Sequence, residues 1–328
     1  MNVMKMIRYI SLFFLFIFIN IYGQNPRGDL RVMFYNTENL FDTFDDSLKL
    51  DEDYLPSGHY NWNQYKYHNK LNNIYKVIAY TGEWSPPDII GLCEIENKNV
   101  LNDLIFQTPL HKYQYDYIQF ESPDFRGIDV GCLYNKDKLS VLRAFPVKVS
   151  DESKGFKTRD ILFISFITKE KDTINVFVNH WPSRRGGKES SENKRMIVSD
   201  SLKQYLKNTV NNIIIMGDFN DEPSDKSLLN ITSDERFLNL SVNKNNTGTI
   251  KHEGSWFIFD QFIVSADLLK QTGNIYTYSN AFRIIEDSFL LTDDNNFSGK
   301  KPFRTYNGYN YMNGFSDHLP VYIDLYFK

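Results

Sequence analysis

Short apolar runs rich in Val, Ile, Phe and Tyr recur along the chain. They cover residues 30–35, 88–93, 113–120, 128–134, 161–167, 174–178, 213–216, 257–264 and 320–326. Runs of this length with β-branched and aromatic residues predict strands. Two stretches between them carry apolar residues at helical spacing: Leu71, Ile74, Tyr75 and Ile78, and later Val198, Leu202, Tyr205 and Leu206. Each set lines one face of a helix. The pattern is that of a strand-rich α/β protein. No repeat, low-complexity tract or linker divides residues 24–328, so one domain is expected there.

The extreme N-terminus reads differently. Lys5 and Arg8 precede a nearly continuous apolar run over residues 10–18, extended by Ile19 and Ile21, and the chain turns polar at Gly23 and Gln24. A short basic region before an apolar segment of this length predicts a signal peptide over residues 1–23. The run falls short of the ~20 residues that span a bilayer, so no membrane span is expected after cleavage. Export, to the periplasm or beyond the cell, follows. A retained anchor is the weaker alternative, favoured only by Ile21 at a position where a small residue is usual before the cut.

Among 328 residues, 41% are hydrophobic and 16% aromatic, which excludes disordered and fibrous classes. Two cysteines, Cys93 and Cys132, are too few for a disulfide framework or a four-cysteine zinc site. Both sit in predicted strands among apolar residues, which favours buried free thiols over a disulfide. Losing Lys5 and Arg8 with the signal peptide takes the formal net charge from −4 to −6. An acidic protein gains little non-specific affinity for polyanions, unless a local cationic surface or a bound metal reverses the field.

What singles this chain out is the ends of its strands. The first run ends in Asn36-Thr37-Glu38-Asn39, the second in Glu94, the sixth in Asn179-His180 and the seventh in Gly217-Asp218-Phe219-Asn220; Ser316-Asp317-His318 precedes the last. Strand ends hold polar side chains at fixed positions, so the clusters point to one shared site. Taken singly, each is weak. A lone Asn is usually a turn residue, and His59, His68, His111 and His252 read as surface or core. Glu94 follows Ile89-Ile90-Gly91-Leu92-Cys93, where a carboxylate needs a cation or solvent. Asp218 and Asn220 would point the same way if the chain stays extended.

Together, Asn36-x-Glu38, Glu94, Asn179-His180-Trp181-Pro182-Ser183, Gly217-Asp218-Phe219-Asn220, Asp260-Gln261 and Ser316-Asp317-His318-Leu319-Pro320 resemble the endonuclease/exonuclease/phosphatase superfamily, in its order and over nearly the whole chain. The resemblance implies a four-layer α/β/β/α sandwich of two mostly antiparallel sheets and metal-dependent hydrolysis of phosphate esters. It assigns Asn36, Glu38, Glu94 and Asp317 to the metal. Asp218 and Asn220 would touch the attacking water and the phosphate, and His318 paired with Asp260 would be the general base. His180 would donate to the phosphate or leaving group. Hard oxygen ligands suit Mg²⁺, with Mn²⁺ or Ca²⁺ as alternatives, better than zinc.

Four further assignments carry competing readings. Glu121 falls where deoxyribonuclease-like members pair a glutamate with this histidine, or is a solvated turn residue before Pro123. Arg159 resembles a phosphate-contacting arginine, or forms an exposed ion pair with Asp160. Arg184, Arg185, Lys188, Lys194 and Arg195, offset by Glu189 and Glu192, form either a polyanion-binding segment or a charged helix face. Tyr306, Tyr309 and Tyr311 pack their loop or stack on bases, with packing favoured. The resulting expectation is a monomeric nuclease acting on nucleic acid, without a stable protein partner. A lipid or small-molecule phosphodiesterase or phosphatase, and a silent binding module, are the alternatives.

Overall fold

The computed structural model describes residues 27–151, 155–242 and 248–328; the expected signal peptide lies outside the described residues. Strand β1 (Leu30–Leu40) shows how the layers arise. Val32 and Phe34 lie in one buried cluster, while Met33 and Tyr35 lie in another on the opposite face. The two-residue alternation of a strand thus feeds apolar side chains to both sides, as a sheet with both faces covered requires.

One sheet has seven strands. Its order is β11 (Ile275–Tyr276), β13 (Val321–Phe327), β1, β2 (Ile89–Ile95), β4 (Asp129–Asn135) and β3 (Tyr115–Gln119), with β12 (Arg283–Ile284) also on β13. The six-stranded sheet runs β9 (Phe237–Asn239), β10 (Asp260–Ser265), β8 (Ile213–Asp218), β7 (Thr173–His180), β6 (Ile161–Thr168) and β5 (Leu139–Val147). Val32, Phe34, Cys93, Cys132, Val178, Met216 and Phe262 fill the space between the sheets. Helices α1 (Gln64–Gly82) and α2 (Lys98–Phe106) cover the outer face of the first sheet through Leu71, Ile74, Ile78, Leu101 and Leu104. Helices α3 (Lys188–Leu206) and α4 (Lys226–Thr232) cover the second through Val198, Leu202, Leu228 and Ile231. The result is the expected four-layer α/β/β/α sandwich. Cys93 and Cys132 are buried free thiols.

Most strand pairs are antiparallel, but each large sheet contains one parallel pair, β1 with β2 and β7 with β8. A parallel pair needs a crossover, and α1 and α3 supply them. This topology positions the site. Parallel neighbours end at the same edge, so the tails of β1 and β2 bring Asn36 beside Cys93, and those of β7 and β8 bring His180 beside Asp218. Among the described residues no helix is long and apolar enough to cross a membrane.

Candidate active site

At that edge the strands leave the pleat. Glu38, Asn39, Glu94 and Asn220 have φ of 53°, 55°, 57° and 51°, and the β1–β2 register shifts between Asn36 and Leu40. Left-handed residues at strand ends re-aim side chains that a regular strand would alternate to opposite faces. Asp218 and Asn220 are therefore brought together by a turn rather than by an extended chain. The Asn220 amide donates to Asp218 Oδ1 at 3.0 Å, and its side chain donates to the Trp181 carbonyl at 3.0 Å. Gly217 is needed where β8 crosses β7, since a Cβ there would lie 2.4 Å from the Asn179 carbonyl oxygen.

Asp218 is the hub. Its Oδ2 accepts from Asn36 Nδ2 at 3.0 Å and lies 3.8 Å from His180 Nε2 and 3.7 Å from His318 Nε2. On its other side His318 Nδ1 meets Asp260 Oδ2 at 2.7 Å, which forms the expected His318–Asp260 pair. Burial opposes charge on His318, yet Asp260 and then Asp218 hold its pKa well above the ordinary histidine range. His180 is the opposite case: burial, then the positive charges of Arg159 and Arg126, hold it well below, so its ring is neutral. Glu94 Oε2 accepts from the Asn39 amide at 2.9 Å, and its Oε1 lies 3.8 Å from His180 Nε2.

A hard divalent cation fits this donor set. Glu94 Oε1 and the remaining lone pairs of Asn36 Oδ1 and Asp218 supply oxygen ligands. The carboxylates of Glu38, Glu94, Asp218, Asp260 and Asp317 gather at this centre, among the cations Lys70, Arg304 and His318. Cys93 also brings a ligand atom within 4.8 Å of those of His180 and Asp218. Burial pushes its thiol pKa well up, however, and a protonated thiol is no metal ligand.

Two of the expected metal ligands are otherwise engaged. Glu38 Oε2 accepts the Thr305 amide at 2.6 Å, and its Oε1 accepts from Arg304 Nε at 3.0 Å. Arg304 Nη2 also donates to Asp317 Oδ2 at 3.0 Å. Lys70, fully buried on α1, stands 3.9 Å from Glu38, and burial pushes its pKa down to about 8. Sequence reasoning passed over Lys70 and Arg304. Lys70 carried a signal, a charge in line with Ile74 on the apolar stripe of α1; Arg304 carried none.

The remaining expectations need correction. Glu121 is exposed, with Lys49 Nζ 3.9 Å away and Gln119 donating to it at 3.2 Å, so it forms no pair with His180, whose Nδ1 has no hydrogen-bond partner among the described residues. The turn residue, not the catalytic partner, is the correct reading. Arg159 is buried and pairs neither with Asp160 nor with solvent. It donates to Asp124 at 2.7 Å and to the carbonyls of His180 and Trp181 at 3.1 and 2.9 Å. Those bonds fix the backbone that carries His180 and engage Nε, Nη1 and Nη2 of the guanidinium. The basic segment is largely neutralised by acids that sequence distance hid. Arg184 bonds Asp221 and Asp225, Lys188 bonds Asp225, and buried Arg195 forms an ion pair with Asp221, Nε to Oδ2 at 2.7 Å. Arg184 therefore braces the Asn220 loop, donating to its carbonyl at 2.8 Å, and Arg185 is left exposed. Tyr306 packs inside its loop, as favoured, but Tyr309 is 66% exposed.

Arg159→Met is expected to lower unfolding free energy by about 3–5 kcal/mol, because it strands the buried Asp124 carboxylate. Urea denaturation should show a lower midpoint at unchanged slope. A loss under about 1 kcal/mol would mean that the pair is no more than a surface contact.

The comparisons agree with this architecture. Residues 31–326 match the model of the Endonuclease/Exonuclease/phosphatase family. No curated protein matches the sequence. Among solved structures, an endonuclease/exonuclease/phosphatase family protein from Bacteroides thetaiotaomicron is similar over 93% of this chain and 100% of its own, with 17% identity and a TM-score of 0.59. A mannosyl-6-phosphatase from Bacteroides thetaiotaomicron VPI-5482 is similar over 91% of this chain and 100% of its own (18% identity, TM-score 0.57). The human Nocturnin catalytic domain with bound sulfate covers 93% of this chain and 97% of its own (18% identity, TM-score 0.55). At these identities the likeness is one of fold.

Proposed function

This chain belongs to the endonuclease/exonuclease/phosphatase family, and from that premise we propose that it is an exported, Mg²⁺-dependent phosphodiesterase whose substrate is nucleic acid. The observation that carries the reading is the convergence on Asp218 Oδ2 of two imidazoles, neutral His180 at 3.8 Å and carboxylate-paired His318 at 3.7 Å, with Glu94 beside His180.

In this reading Glu94 and Asn36 hold the metal, with Asp218 and Asp317 at its margin. When bound, the metal neutralises charge on the phosphate oxygens and lowers the pKa of water. The chain's own residues do the rest. Asp218 Oδ2 and His318 Nε2 hold the attacking water between them; His318, whose pKa Asp260 and Asp218 hold high, takes the water's proton only from its deprotonated form, and Asp260 steadies the resulting imidazolium. His180, being neutral, offers one N–H from Nε2 to a phosphate oxygen or the leaving oxygen. Arg159 holds the His180 backbone, and Asn220 faces the phosphate from the turn after β8.

A second reading has its own support. A cavity of about 260 Å³ opens beside the acidic centre, lined by Glu38, Asn39, Tyr54, Tyr60 and Arg304. That is room for one sugar-phosphate unit, and one structure of like fold is a mannosyl-6-phosphatase. The test is to incubate purified protein with plasmid, linear duplex, RNA, bis(p-nitrophenyl) phosphate, mannose 6-phosphate and a sphingomyelin analogue, with Mg²⁺ or with EDTA. Mg²⁺-dependent cleavage of nucleic acid and of the small diester is expected. Turnover of the monoester alone would replace the nuclease reading with the second one. Export is tested by sequencing the N-terminus of the protein recovered outside the cytoplasm, which should begin at Gln24.

A further inference from the structure

Arg304 bonds Glu38 on β1 and Asp317 just before β13, yet neither the motifs nor the mechanism uses it. We propose that Arg304 binds a phosphate oxygen of the substrate and that Glu38 is its positioning residue rather than a direct metal ligand. The inference rests on the phosphoesterase reading above and adds a substrate-binding residue to it.

Its basis is donor and acceptor counting. A guanidinium has five N–H donors in a rigid fork. The bonds to Glu38 and Asp317 use Nε and one hydrogen of Nη2, leaving three donors. The side chain is 44% exposed and lines the cavity beside the acidic centre together with Asn39, Tyr54 and Tyr60. Free donors on a fixed, charged fork at the mouth of such a cavity suit a phosphate, for which arginine offers paired contacts. Glu38 shows the complementary pattern. It is 5% exposed, one oxygen is taken by the Thr305 amide and the other by Arg304, and the Lys70 ammonium lies 3.9 Å away. A carboxylate so engaged holds its partners more naturally than a metal. Glu94, by contrast, keeps Oε1 free of hydrogen bonds among the described residues.

The surrounding chain makes the arginine rigid. Lys70 Nζ donates to Thr305 Oγ1 at 2.5 Å and to the Phe315 carbonyl at 2.7 Å. Asn73 Nδ2 donates to the carbonyls of Asn313 and Gly314 at 3.2 and 2.9 Å. Helix α1 thus grips the loop at both ends, just before Ser316-Asp317-His318. A side chain held this way loses little freedom on binding, which is how a positioned arginine gains affinity.

The test separates phosphate from metal without turnover, using the full-length protein and the variants Arg304→Met, Arg304→Lys, Glu38→Gln and Glu94→Gln. Inorganic phosphate binding in the presence of Mg²⁺ is measured by calorimetry, and Mn²⁺ binding by electron paramagnetic resonance. Arg304→Met and Glu38→Gln are expected to weaken phosphate by about tenfold, with Arg304→Lys between them and the parent, as loss of a charged hydrogen bond predicts. Both should bind Mn²⁺ within about twofold of the parent, while Glu94→Gln loses it. Unchanged phosphate binding in Arg304→Met overturns the arginine's role. Mn²⁺ binding weakened in Glu38→Gln as much as in Glu94→Gln overturns the reassignment of Glu38. Should Glu38→Gln lose its near-ultraviolet circular dichroism, the exposed Arg304→Met decides alone. Failure of the parent to turn over any phosphoester would count against the proposed function but leave these two binding results readable.

Discussion

His318→Ala is expected to reduce kcat about 10³-fold at saturating Mg²⁺, within the range for loss of a positioned acid–base group. Asp260→Asn should cost nearly as much, and the double variant little more than either single. The two residues act as a unit: Asp260 Oδ2 holds His318 Nδ1 at 2.7 Å, so Nε2 points toward Asp218, and without that bond the ring loses both its orientation and the support for its charge. His180→Ala should also be severe, through a different step. The pH–rate profile tells the two apart. A base works only when deprotonated, and Asp260 and Asp218 hold the His318 pKa well above the ordinary histidine range, so the wild-type rate should rise with pH on the alkaline side of that range; that limb should vanish in His318→Ala and persist in His180→Ala. Wild-type rate and pH dependence in His318→Ala would falsify the assigned mechanism while leaving the fold untouched.

How much of this was legible depended on whether the determinant was local. Each strand run read from the sequence has a counterpart, because buried parallel pairs such as β1–β2 impose continuous apolar segments. Strand β5 (Leu139–Val147) escaped. It is an edge strand, half exposed, with Arg143 at a bulge and Pro146 inside it, which are the features that blunt an edge and erase the apolar run. Helix α2 is short, and its clearest mark is the Asn97 side chain capping the amides of Asn99 and Val100. The candidate site residues were legible because strand ends fix them. Their supports were not, because each pairs across sequence distance: Arg159 with Asp124, Arg195 with Asp221, and Glu38 with Arg304. Charges counted along a segment misjudged the 184–195 stretch for that reason. Residues that neutralise it lie more than a helix away, on the loop after β8. Glu121 failed through loop geometry: Lys49 reaches the carbonyls of Ser122 and Asp124 at 3.1 Å, and the loop keeps Glu121 at the surface.

Glu94→Gln should cost at least ~100-fold in rate if the metal contributes several kcal/mol of transition-state stabilisation. The substitution preserves shape, and the amide oxygen can still accept the Asn39 amide that Oε2 now accepts at 2.9 Å. What it removes is charge, at a carboxylate whose second oxygen faces His180, with no donor within hydrogen-bond reach among the described residues. The loss should appear as a raised Mg²⁺ requirement together with a reduced rate at saturation. A mutation that only weakened substrate binding would raise KM and leave the Mg²⁺ dependence alone. Asp317→Asn provides the contrast. Asp317 is already bound by Arg304 at 3.0 Å, so its effect on the Mg²⁺ requirement should be smaller than that of Glu94→Gln. Titrating Mg²⁺ into EDTA-treated parent, Glu94→Gln and Asp317→Asn decides the matter. Full activity of the parent in excess EDTA, or equal Mg²⁺ requirements for the parent and Glu94→Gln, would show that the centre around Asp218 works without a cation on Glu94.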